Sequence, residues 1–181
     1  MKERREWGRA KMENKLPKEL KHPYFFPQDI LNWEKEDVVN LNAATPFIYE
    51  AMFFLEEEGL RPWEDPEPAA QAILLEWTAL KEEIRSLFEK RNKDKIPSLM
   101  RVGISYLVEL LYWSNEQPSI LNPKIEYEKL KIRPVNIEER LEFIISRPNL
   151  FHSFMQLSEL IIEQEKGFKK AVAINKRKKG V

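Results

Sequence analysis

NIEERLEFIIS at residues 136–146 and NLFHSFMQLSELIIEQEKGFKKAVA at residues 149–173, separated only by Arg147 and Pro148, decide the architecture of this chain. At about 100° per residue, Leu150, Phe154, Leu157, Ile161, Phe168 and Val172 fall on one helical face, and His152, Gln156, Glu159 and Glu163 fall on the opposite one. Both segments are therefore amphipathic helices, and the proline between them marks a boundary rather than a kink. Asn136 followed by Glu139 reads as a capping-box start for the first.

The same signals extend toward the N-terminus. Thr45 and Pro46 look like an N-cap and first helical residue, and Gly59 with Leu60, the latter within reach of Leu55, looks like a Schellman stop. A helix is expected over 46–58. Asp65 and Pro66 start a second, in which Ile73, Trp77, Leu80, Ile84, Leu87 and Phe88 recur at intervals of three and four, ending near Arg91. After the polar linker Lys93, Asp94 and Lys95 comes a helix over 97–113 that is apolar nearly all round apart from Arg101, Ser105 and Glu109, as expected at the centre of a bundle. Residues 114–135, with Pro118, Pro123 and Pro134, read as an irregular crossing with one short helix near Tyr127. Only 5 glycines and 12 prolines occur, and no Asn-Gly or Asp-Gly hairpin signal. The fold class is thus all-α, a single-domain bundle of about five or six helices. Residues 1–35 read as a basic N-terminal arm and an aromatic strap, 36–174 as the helical domain and 175–181 as a basic C-terminal tail.

Composition narrows the class of function. With 181 residues, 43% apolar and 33% charged, the chain can bury one substantial core and is too apolar to be disordered. The absence of cysteine excludes disulfides, thiolate metal sites and a cysteine nucleophile. No signal peptide or membrane span is evident, and the closest candidate, residues 96–113, contains Arg101 and Glu109, so the cytoplasm is the expected location. Net charge is zero but unevenly spread: residues 1–21 carry +4, residues 34–83 carry −10 and residues 166–181 carry +7. The basic ends therefore either fold back onto an acidic body or reach for an external anion.

Few residues form a recognisable chemical constellation. Neither a dinucleotide-binding nor a P-loop glycine pattern is present. Glu19 and His22 match Glu-x-x-His spacing, but outside any expected bundle helix. His152 and Ser153 are helix neighbours pointing about 100° apart, which is no dyad. No catalytic residue, metal ligand set or cofactor is assigned. The weak binding candidates are Arg140 and Arg147, which lie within about 20° of each other on one helix side, the polar stripe of His152, Gln156 and Glu159, and the terminal Lys176, Arg177, Lys178 and Lys179. The arginines would serve phosphates or a partner's carboxylates, or pair locally with acids. The segment HPYFFPQDILNW, 22–33, is expected to strap aromatics across the bundle.

The run RPVNIEERLEFIISRPNLFHSFMQLSELIIEQEK with the earlier LVELLYWSN resembles the YpoC-like family of small proteins of Bacillus-type bacteria. The residues that carry the likeness are Trp113, Pro134, Glu139, Arg140, Leu141, Arg147, Pro148, His152, Ser153, Phe154, Gln156 and Leu157. It spans roughly residues 100–170, and the first hundred residues resemble nothing specific. The resemblance implies a cytoplasmic helical protein associated with DNA replication and repair genes, and brings no activity and no residue role with it. Three functions are thus expected in descending order: a non-enzymatic adaptor with a protein partner, a nucleic-acid accessory protein using its Lys/Arg-rich ends, and a metal-dependent hydrolase using the acidic helices and a histidine.

Overall fold

A computed structural model describes residues 12–33, 40–178 and 180. Among them are five α-helices: α1 (Ile48–Phe54), α2 (Pro66–Glu89), α3 (Ile96–Trp113), α4 (Ile137–Ser146) and α5 (Phe151–Lys178). Three single-turn 3-10 helices, at Lys18–Leu20, Pro62–Glu64 and Tyr127–Lys129, punctuate the connections. The last of these is the short helix expected near Tyr127. The protein is an all-α single-domain bundle.

Helix α3 lies at the centre because its sequence leaves no wide polar face. Ile96, Met100, Ile104, Leu107, Val108, Leu110, Leu111 and Trp113 are all fully buried. Helices α2 and α5 pack against it, and α4 packs on α5. The three long helices meet at Gly103, where an added Cβ would lie 2.8 Å from the Trp77 ring and 3.1 Å from a Leu157 methyl. The buried face of α5 is the one the periodicity selects, with Phe154, Leu157, Ile161 and Phe168 inside.

Two features differ from expectation at the helix ends. Helix α1 covers 48–54 rather than 46–58. It stops because Glu56 takes a left-handed φ of 60°, with Glu56 N–H donating to the Phe53 carbonyl at 3.2 Å and Glu57 N–H to the Met52 carbonyl at 2.9 Å. That is a Schellman motif built on glutamate. Gly59 serves another purpose: a Cβ there would sit 2.6 Å from Met52 Cε. Leu60, assigned to a capping contact, remains 41% exposed. At the start of α4, Asn136 is itself left-handed at φ 53° and makes no side-chain cap bond, so no capping box forms.

A short antiparallel ladder is the element the sequence did not signal. β1 (Met12–Lys15) pairs with β2 (Ile30–Trp33) in the register Met12 to Trp33. No two-residue turn joins them, since residues 16–29 intervene, and the hairpin dipeptides are therefore not required. Within that connection the strap behaves as expected. Phe25 and Phe26 are buried, with ring centroids 5.4 and 5.9 Å from Phe47. The segment shares one hydrophobic cluster with the helices. At the other end α5 continues through Lys178, so the basic residues 176–178 are helical.

The irregular crossing is pinned by amides. Asn115 donates to the Ile132 carbonyl at 2.8 Å and accepts the Ile132 N–H at 2.9 Å. Buried Gln164 of α5 donates to Ser114 Oγ at 2.6 Å and to the same carbonyl at 3.1 Å. Three of these bonds supply partners to the backbone of Ile132, where the chain is out of regular structure, and with the Gln164 bond to Ser114 they fix the crossing against α5.

Candidate functional site

The stripe foreseen on α5 is present but internally occupied. His152, Glu159 and Glu163 are exposed and Gln156 is half-buried. Gln156 Nε2 lies 3.2 Å from His152 Nε2, and the His152 ring meets Phe143 edge-on at 5.6 Å. Arg140 reaches across from α4 and closes a two-pronged bond on Glu163, both at 2.9 Å, with Glu159 at 3.9 Å. The bond to Glu163 pushes the guanidinium pKa up further. Arg147 stacks over the Phe143 ring at 5.3 Å. The shared side of Arg140 and Arg147 is therefore an intramolecular α4–α5 seam, with the fork of Arg140 already filled.

The basic end divides similarly. Lys176 pairs with Glu67 of α2 at 2.9 Å, while Arg177 and Lys178 are exposed in the last turn of α5. Lys179 lies outside the described residues. The Lys176–Glu67 bridge crosses an apolar crevice of about 250 Å³ between α2 and α5, lined by Ala70, Leu74, Leu110, Phe168, Val172 and Ala173.

A larger groove opens where α1 ends and α2 begins, with a volume of about 1040 Å³. Phe53 and Phe54 stand in it together with Leu60, and the acids Glu56, Glu57, Glu58, Glu64 and Asp65 line it. Among the described residues that line it the one cation, Arg61, lies over the Phe53 ring at 5.2 Å and pairs with Glu64 at 3.2 Å. Trp63 meets Phe53 edge-on at 5.3 Å and is buried beneath. The Schellman turn on Glu56 makes this site, because by ending α1 early it releases residues 56–61 as an exposed acidic loop. The charge map of the chain showed the acidic excess; the aromatic floor was hidden by the expectation of a helix to residue 58.

A second feature, not foreseen from the sequence, is a pair of buried carboxyls. Glu50 of α1 is 0% exposed and Glu109 of α3 is 1% exposed. Glu50 Oε1 accepts from Trp113 Nε1 at 2.7 Å, from Ser119 Oγ at 2.7 Å and from Ser119 N–H at 3.2 Å. Glu109 Oε1 accepts the Phe47 N–H at 2.6 Å. Desolvation raises the pKa of Glu50 against the opposing pull of its Ser119 and Trp113 bonds. Glu109 is raised well above the ordinary value, by desolvation first and by the charge of Glu50 second. Sealed from solvent, the two acids have no access to a substrate. Glu109 was visible as a charge in an apolar helix, whereas α1 is too short for its periodicity to mark Glu50 as an inward position.

Among the described residues no group of three or more His, Cys, Asp or Glu side chains is placed to hold a metal ion. Nor is any described helix long and apolar enough to cross a membrane.

The molecule is thus a helical bundle whose surface features are a lined groove and a self-paired polar seam. A family model described as YpoC-like protein matches residues 67–176. One relative, an uncharacterized protein YpoC of Bacillus subtilis (strain 168), is 32% identical over 126 residues, covering 68% of this chain and 77% of the relative. The chain belongs to the YpoC-like family. The matched span takes in α2, α3, α4 and most of α5, while α1 and the strap precede it. No solved structure matches.

Proposed function

We propose that this chain is a non-enzymatic, cytoplasmic interaction protein whose groove at the α1–α2 junction takes a basic, aromatic-bearing segment of a protein partner. The observation that carries this reading is the lining of the groove: half-buried phenylalanines with five carboxylates around them and one arginine already paired. Aromatic rings provide an apolar anchor, and a rim of one charge sign selects an oppositely charged segment and speeds its encounter. A cysteine-free chain also suits a reducing compartment.

The nucleic-acid reading retains Arg177 and Lys178 at the exposed end of α5, but the engagement of Arg140 and Lys176 by Glu163 and Glu67 weighs against it. The two readings separate with defined probes. A fluorescein-labelled Lys/Arg-rich peptide carrying one tryptophan is expected to bind the full chain, and Glu57→Lys with Glu58→Lys to weaken that binding by about tenfold or more. Equal binding by the double variant would discard the groove. Salt-sensitive binding to duplex DNA, reduced on removing residues 176–181, would favour the nucleic-acid role instead.

A further inference from the structure

Each of the two buried acids has one oxygen without a partner: Glu50 Oε2 and Glu109 Oε2 are both buried and unbonded. Leaving two anionic oxygens so placed carries a desolvation penalty that neither residue's other bonds remove. Among the described residues no Lys, Arg or His pairs with either carboxyl. Glu109 feels the charge of Glu50, and Tyr106 of α3 is raised by burial first, then by Glu76 of α2 and by Glu109. Tyr49 of α1 packs its ring 6.2 Å from Trp113, the indole that bonds Glu50. These groups are neutral or acidic, so the field they set up favours retention of a proton.

We propose that the buried pair of Glu50 and Glu109 retains one proton in the folded chain, and that this proton latches α1 to α3. The latch sits where it controls an otherwise weak attachment. Helix α1 has only the seven residues of 48–54, and Phe47, whose N–H is held by Glu109, is left-handed at φ 66°. On the opposite side Glu50 ties α1 to Trp113 and to Ser119 in the crossing loop. If both carboxyls ionise, two like charges are forced together without a cation, and α1 loses its hold on the bundle core. Phe53 and Phe54 belong to the same helix, so loss of the latch also disturbs the aromatic floor of the groove.

The direction of the pH effect follows from proton counting. In the unfolded chain both glutamates ionise near the ordinary glutamate pKa, whereas the folded pair keeps a proton to higher pH. Stability is therefore greatest in acid and falls as pH rises from that ordinary value to the raised folded one. One retained proton corresponds to an unfolding equilibrium constant that grows about tenfold per pH unit in this window.

Glu109→Gln replaces a protonated carboxyl with an amide of the same shape. Urea unfolding of the full chain between about pH 5 and 8.5 is expected to show this slope in the wild type and to lose most of it in Glu109→Gln, whereas Glu50→Gln, which removes only the lesser cause of the raised Glu109 pKa, keeps more of it. An undiminished slope in Glu109→Gln would overturn the proposal. An independent readout in the wild type keeps the test decisive if either variant fails to fold. Carboxyl ¹³C signals of labelled glutamate are expected to include one still protonated at neutral pH, and the Trp113 indole N–H signal to shift with its titration. If every glutamate is ionised at neutral pH, or elemental analysis finds one equivalent of a bound cation in place of the proton, the latch is refuted.

Discussion

Gly103 shows how much one hydrogen atom decides. A methyl group there would overlap the Trp77 ring at 2.8 Å, and an indole wedged between helices has no room to retreat. Gly103→Ala is expected to lose about 1–3 kcal/mol from overpacking, more than the about 1 kcal/mol that alanine contributes through helix propensity. A lowered urea midpoint with an unchanged slope would verify this; a raised midpoint would show that Trp77 yields. The close approach was not legible in the sequence, because a glycine inside an apolar helix has the same spelling whether it marks contact or tolerance. Glu109 was legible as an oddity, but its meaning depended on Glu50, a residue 59 positions away in sequence, and no periodicity links the two.

At the scale of elements, the long helices followed their apolar spacing and the boundaries followed rules the side chains did not announce. Helices α1, α2 and α3 each end in a Schellman turn whose left-handed residue is Glu56, Arg91 or Glu116, at φ of 60°, 54° and 59°. Bonds from Asn92 N–H to the Leu87 carbonyl and from Gln117 N–H to the Tyr112 carbonyl, both close to 3 Å at 2.9 and 3.1 Å, complete the second and third. A side chain in that conformation costs roughly 1–2 kcal/mol that glycine avoids. Arg91→Gly and Glu116→Gly are therefore expected to raise stability, each by up to about 1 kcal/mol after allowing for glycine's greater freedom in the unfolded chain. Thermal melts that fall for both would contradict the turn assignment. Glycine is the usual sign of such turns, and Gly59, three residues past the true left-handed residue Glu56, drew the expected end of α1 four residues too far. On α5 the apolar stripe located the buried face, and near its end Lys176 meets Glu67 across the bundle.

At the scale of the molecule, charge pairing sorts the candidate surfaces among the described residues. Arg140 and Lys176 are tied to Glu163 and Glu67, whereas the loop of 56–61 stays exposed around Phe53 and Phe54. The uneven charge map of the sequence left open whether the basic ends fold back or reach for an external anion; Lys176 folds back onto Glu67, and residues 1–11 of the basic arm lie outside the described residues. The central claim is that the α1–α2 groove is a docking site for a basic protein segment. The most direct test is a ¹⁵N–¹H titration of the full chain with a Lys/Arg-rich, tryptophan-bearing peptide. Shifts concentrated at residues 53–65, including the Trp63 indole, are the predicted result. Shifts confined to other surfaces, or none there at about 1 mM peptide, would contradict it.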